Sequence, residues 1–204
     1  AGAPGHALRH RGAVRAMSLR VVELAHATPQ PWRNGGGITH EMATWPVDAD
    51  WRWRVSVARI DRDGPFSAFS GVQRWFAVLE GDGVELIWPH ATLRLGPHDA
   101  PHGFPGTPAC DARLLNGPTL DFNLMTRGLR GQLQRQQQTG AQTPWPAQAH
   151  VGVFACTDSS WRSGHDSESL KAREFAWTFT PEITPWHWHH GEALVFVLEE
   201  EPHA

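Results

Sequence analysis

The sequence predicts an all-β fold, a sandwich or closed barrel built from short strands, and three observations carry that expectation. The 204 residues include 20 Gly and 16 Pro but a single lysine, Lys171. Glycine and proline interrupt helices, and lysine is a common exposed helix former, so long helices are disfavoured. Period-two alternation is plain in Trp53, Val55 and Val57 against Arg54, Ser56 and Ala58, and again in "TLRL" at 92–95. Turn signals at "RDGP", "EGDG" and "LGPHDAP" separate the segments, which is the spacing of a sandwich or barrel.

Taken in order, "AGAPGHALRHRGAVRA" is basic and lacks the apolar run of a signal peptide. Residues 1–16 are expected to be a disordered extension, with the folded unit running from Met17 to 204. "PWRNGGGITHEM" (31–42) is expected to enter the sheet through a bulge, because its three glycines permit positive φ and close backbone packing. Strands follow at "WRWRVSVARI" and "LDFNLMTR" (120–127). The Gln-rich, Pro-interrupted stretch 130–149 reads as a linker or excursion between two halves. Strands resume at "VGVFACTD", "REFAWTFT" and "EALVFVLE", with "WHWHHGE" as the approach to a last strand over 192–199.

Composition excludes several functions. A formal charge of −3 offers no basic excess for nucleic acid or an anionic membrane surface, and a small neutral or zwitterionic ligand fits better. No apolar run approaches the roughly 18 residues that cross a bilayer. Cys110 and Cys156 form no CxxC pair and read as reduced thiols of a cytoplasmic protein.

Two constellations compete for the chemistry. His187 and His189 have the one-residue gap of a cupin-type metal pair, and Glu192 supplies a carboxylate. The carboxylate comes one or two positions early, however, and only His203 remains downstream. Trp186 and Trp188, on the opposite parity, favour a Trp-anchored segment that shows its histidines to water. The other constellation lies in the first half. Arg54 and Ser56 share one strand face beside the small Ala58, which leaves room for a ligand, and an arginine fork suits a carboxylate. Thr39 and Glu41 share a face near Asn34. Phe66, Ser67, Phe69 and Arg74 lie in or just after a loop able to close a pocket, and Asp121, Asn123 and Met125 share a face of a further strand.

Together, "PWRNGGGITHE", "WRWRVSVARIDRDGPFSAFSGVQRWFAVLEGDG" and "DFNLMTR" resemble the HutD/Ves family of bacterial proteins, in order from about residue 19 to residue 127. The family pattern W-x-N-G-G-G-x-T falls on Trp32, Asn34, Gly35, Gly36, Gly37 and Thr39. W-R-x-S-x-A falls on Trp53, Arg54, Ser56 and Ala58, and F-S-x-F-x-G-x-x-R on Phe66, Ser67, Phe69, Gly71 and Arg74. The resemblance implies a cupin-like double-stranded β-helix with two jelly-roll barrels in one chain, the first mainly over 45–127. The second would span mainly 150–204, with help from the N-terminal strands. It also implies a link to histidine utilisation, as a regulator sensing a metabolite of the formylglutamate, formiminoglutamate or urocanate type rather than as a catabolic enzyme.

The resulting expectation is a cytoplasmic, metal-free binding protein with no cofactor. Asn34, Thr39, Arg54, Ser56, Phe66, Ser67, Arg74 and Asn123 would surround a small carboxylate metabolite. The alternative is a metal-dependent cupin enzyme using His187, His189 and Glu192; a protein–protein scaffold is a third reading, prompted by the 11 Trp. A homodimer is left open, with "LVFVLEE" as an exposed edge strand that could form its seam.

Overall fold

The computed structural model describes residues 19–47 and 50–201. The expected extension at 1–16 and His203 lie outside the described residues. Those described form strands, turns and one short 3-10 segment, Leu24–His26, with no α-helix among them. The first strands are β1 (Arg20–Glu23), β2 (Pro29–Pro31), β3 (Gly37–Trp45), β4 (Trp53–Ile60), β5 (Gly64–Pro65), β6 (Gln73–Glu80), β7 (Val84–Trp88), β8 (Ala91–Leu95), β9 (His102–Pro105) and β10 (Asp111–Leu114). There follow β11 (Thr119–Thr126), β12 (Leu129–Gln136), β13 (Gly140–Ala141), β14 (Ala149–Ala155), β15 (Ser159–Ser163), β16 (Asp166–Leu170), β17 (Glu174–Thr180), β18 (Trp186–His190) and β19 (Ala193–Glu200).

Two compact units result, one from residues 24–135 with 198–201 and the other from residues 19–23 with 136–197. In the first, a six-stranded sheet of order β2-β3-β4-β11-β6-β9 is joined by a four-stranded sheet of order β5-β10-β7-β8. Ile60, Phe76, Val78 and Phe104 of the larger sheet pack with Val84, Leu86, Leu95 and Ala112 of the smaller one, and Phe66 and Cys110 complete the cluster. These side chains are drawn from alternate positions of their strands, as a sheet with one face on a core requires. The opposite parity of β4, namely Trp53, Val55 and Val57, is fully buried too. This central strand is therefore apolar on one face and mixed on the other.

In the second unit, strands run in the order β1-β17-β14-β19 in one sheet and β13-β18-β15-β16 in the other. Its core holds Val151, Val153, Ala176 and Val195 with four tryptophans, Trp145, Trp161, Trp186 and Trp188. The indoles are ordered as well as buried. Trp145 stacks on Trp186 with ring centroids 5.0 Å apart, and Trp161 stacks on Trp188 at 5.8 Å.

Three sequence expectations need correction. The Gln-rich stretch is not a structureless linker, because Leu129–Gln136 is a strand and Gly140–Ala141 a short second one. Leu129, Leu133 and Gln136 are its buried positions, and two leucines four residues apart share a strand face, a signal hidden by the glutamines around them. "WHWHH" is itself a strand, β18, ending at a turn where Gly191 takes φ 92°. "LVFVLEE" is not an exposed edge. It lies inside a sheet, and Leu194, Val195, Phe196 and Leu198 are all buried.

Candidate ligand-binding cavity

Directly opposed residues of antiparallel strands point to the same face, so register alone sorts the inward side chains of the larger sheet into rows. One row is Thr44, Arg54, Met125, Arg74 and Phe104, from β3, β4, β11, β6 and β9. The next is Glu41, Ser56, Asn123, Phe76 and His102, and the third is Thr39, Ala58, Asp121 and Val78. Polar groups thus interleave with small and aromatic ones along the wall of a barrel. A cavity of about 580 Å³ opens against this wall, in the size range of small-molecule sites. Every residue expected at the ligand site lines it: Asn34, Thr39, Arg54, Ser56, Phe66, Ser67, Arg74 and Asn123.

The Asn34–Thr39 segment is shaped by its own side chains. Asn34 Oδ1 accepts a hydrogen bond from the Gly36 amide at 3.0 Å, bracing a turn in which Gly35 sits in the left-handed region at φ 66°. Gly37 lies against the Arg59 carbonyl and the Trp32 ring, and any Cβ there would collide with the carbonyl and crowd the ring. Trp32 Nε1 in turn donates to Thr39 Oγ1 at 2.7 Å, fixing the indole that packs edge-on to Phe66. Asn34 and Thr39 therefore position the cavity wall as well as line it.

Of the three arginines that line the cavity, Arg33, Arg54 and Arg74, the two on the sheet wall differ in their electrostatics. Arg54 Nε donates to Glu41 Oε2 at 2.7 Å, so a carboxylate already answers its charge. Arg74 is only 6% exposed and pairs with no carboxylate among the described residues. Its Nη2 donates to Asn123 Oδ1 at 3.2 Å and its Nη1 to the Ser67 carbonyl at 3.4 Å, while Nε is buried without a protein partner. The guanidinium carbon lies 5.1 Å from the Phe66 ring centroid, 5.7 Å from that of Phe69 and 5.3 Å from that of Phe104. Burial lowers the Arg74 pKa from its ordinary value to about 10, and Arg54 nearby pushes the same way, yet Arg74 stays cationic at neutral pH. A lone desolvated cation in an aromatic collar is costly by itself, a cost that an anion beside it would offset.

Sequence reasoning placed Asp121 on the Asn123 face but gave it no role. Asp121 is fully buried, with Oδ2 accepting from Thr119 Oγ1 at 2.7 Å and Oδ1 meeting no protein donor. Burial raises its pKa to about 8, against the pull of the Thr119 hydroxyl. Phe104 was also missed. No feature of "HGFPGTP" ties it to Arg74, and only the pairing of β9 with β6 brings them together.

The histidine constellation lies in the other unit. His187 and His189 do share a face of β18, with rings 4.8 Å apart, while Trp186 and Trp188 on the opposite parity are buried. Glu192 sits beyond the Gly191 turn, where one oxygen accepts from Gln137 Nε2 at 2.8 Å. Among the described residues, no three His, Cys, Asp or Glu side chains gather to hold one metal ion.

The HutD family profile matches residues 24–195, spanning both units and the whole cavity. The chain belongs to the HutD family. Among its relatives, an uncharacterised protein from the hutC 3′ region of Pseudomonas putida is 35% identical over 147 residues, which is 71% of this chain and 74% of the relative. Protein Ves of Cronobacter sakazakii is 30% identical, over 83% of this chain and 87% of Ves. HutD from Pseudomonas fluorescens superposes with a TM-score of 0.76 at 27% identity, covering 90% of this chain and 99% of that one. Oxalate decarboxylase of Bacillus subtilis aligns over 95% of this chain and 79% of its own, with a TM-score of 0.60 at 8% identity, which speaks for the fold alone. Over its described residues the chain is thus all-β and cupin-like, with two barrels.

Proposed function

We propose that this protein binds a small carboxylate metabolite in the first barrel and acts as a sensor or regulator of histidine utilisation. The observation that carries the reading is Arg74, a buried cation with no carboxylate partner among the described residues, facing a cavity of about 580 Å³. A ligand carboxylate would supply the missing charge through charge-assisted hydrogen bonds, and the phenylalanines around Arg74 would keep water from screening them. Ser56 lines the same wall as a further hydroxyl partner. The pathway link rests on family membership and on two relatives, one named for its place beside hutC and the other named HutD. A cytoplasmic location belongs to the same reading.

Thermal unfolding with N-formylglutamate, formiminoglutamate and urocanate tests it. Ligand at a hundred times its Kd stabilises by about 2.7 kcal/mol, a rise on the order of 5–10 °C for a chain of this size. Arg74→Gln should abolish the rise. Unchanged melting of the wild-type protein at millimolar concentrations of all three compounds would overturn the reading.

A further inference from the structure

The charges around the cavity do not balance. Arg33, Arg54 and Arg74 line it, and among the described residues no Asp, Glu, Lys or His does. Arg33 is exposed and has no hydrogen-bond or ion-pair partner among them. Glu41 answers Arg54 from behind the lining. Three positive charges against that one negative charge leave two unanswered, and a monocarboxylate on Arg74 would answer only one.

Arg54 has the donors for a second anionic group. Its side chain is 17% exposed, and Glu41 takes Nε, one of the five N–H donors of the guanidinium. Nη1 and Nη2 meet no acceptor among the described residues, and they keep accessible surface, whereas Arg74 Nε is sealed in. The outer edge of the Arg54 fork is therefore open, on a residue that lines the cavity. Register fixes the spacing. Arg54 and Arg74 lie opposite Met125 from the two sides of β11, so their backbones are about 10 Å apart. The two charges also feel each other, since Arg54 helps to lower the Arg74 pKa.

We propose that the cavity takes a short dicarboxylate, with Arg74 holding one carboxylate and the open Nη edge of Arg54 holding the other. This rests on the Arg74 carboxylate site and narrows its ligand to molecules with two anionic groups. A dianion lying over Met125 would relieve the repulsion between the arginines as well as complete each fork, so the second carboxylate adds affinity through both.

Calorimetry at pH 7 with matched probes tests this. The unbranched dicarboxylates from malonate to adipate find the best length, and glutarate is set against glutaramate, which keeps the chain but replaces one carboxylate with a neutral amide. The wild-type protein should prefer glutarate by about tenfold or more. The double variant Arg54→Gln/Glu41→Gln removes the ion pair without stranding Glu41. It should bring the two probes to within about threefold, chiefly by weakening glutarate. Equal binding of glutarate and glutaramate by the wild-type protein overturns the proposal without any variant, as does a preference that survives the double variant. Binding of urocanate with no dicarboxylate bound overturns it and leaves the carboxylate site standing. Binding of neither class overturns both.

Discussion

Arg74 Nη2 donates to Asn123 Oδ1 at 3.2 Å, tying together the inward faces of two neighbouring strands whose residues are 49 positions apart in sequence. The bond orients the guanidinium along the barrel wall without neutralising it. Such a group is stabilising only when a ligand completes it. Arg74→Met should therefore raise the stability of the ligand-free protein by on the order of 1 kcal/mol, because a desolvated charge is replaced by an apolar side chain of similar length. The same variant should weaken carboxylate binding by about 30-fold or more, the effect of truncating one partner of a buried charged pair. Urea unfolding and calorimetry read the two effects, and a loss of both stability and binding would show Arg74 to be structural.

Asp121 gives a pH dependence of definite sign. Its folded pKa, about 8, lies above that of an unfolded aspartate, so between roughly pH 4 and 8 the folded state holds a proton that the unfolded state has released. Stability then falls as pH rises through that window, by at most about 1.4 kcal/mol per pH unit from this group, and levels off above it. Asp121→Asn should flatten the slope of denaturation midpoint against pH between 5 and 8.

Glu41 competes with any ligand for Arg54. The pair is partly exposed, so Glu41→Gln should change stability by less than about 1 kcal/mol. Removing that negative charge from the cavity row should tighten carboxylate binding, and affinities of wild type and variant at low and moderate salt check the direction.

Thr39→Val keeps the shape of its side chain while removing the acceptor for the Trp32 indole. It should cost about 1 kcal/mol and alter Trp32 emission. Gly37→Ala should be more damaging, since its methyl would meet the Arg59 carbonyl and the Trp32 ring.

His187→Ala and His189→Ala should leave ligand affinity unchanged and move stability by no more than about 0.5 kcal/mol each. Loss of a stoichiometric metal from either variant would restore the enzyme reading.

The strands were legible where parity was strict. Trp53–Ile60 and Thr119–Thr126 alternate so cleanly that the Arg54/Ser56 and Asn123/Met125 faces could be assigned before any pairing was known. The β12 strand was not legible, because its few apolar positions sit among glutamines and arginines. Long-range register was hidden for a different reason. Nothing local says that Phe104 lies opposite Arg74, or that Ala58 and Val78 flank Asp121, since strand pairing depends on the whole sheet. The sequence likewise presents Arg54 and Arg74 as equals, and only the fold shows that Arg54 meets Glu41 while Arg74 is buried among phenylalanines.

The alternation of β4 also bears on how such proteins diversify. Its odd positions, Trp53, Val55 and Val57, hold the fold together, while its even positions, Arg54, Ser56 and Ala58, face the cavity. The two tasks are written in interleaved letters of one eight-residue segment. Exchanges at even positions would reshape the cavity while the odd positions keep the scaffold intact, so a lineage can alter its cavity by drift in every second residue.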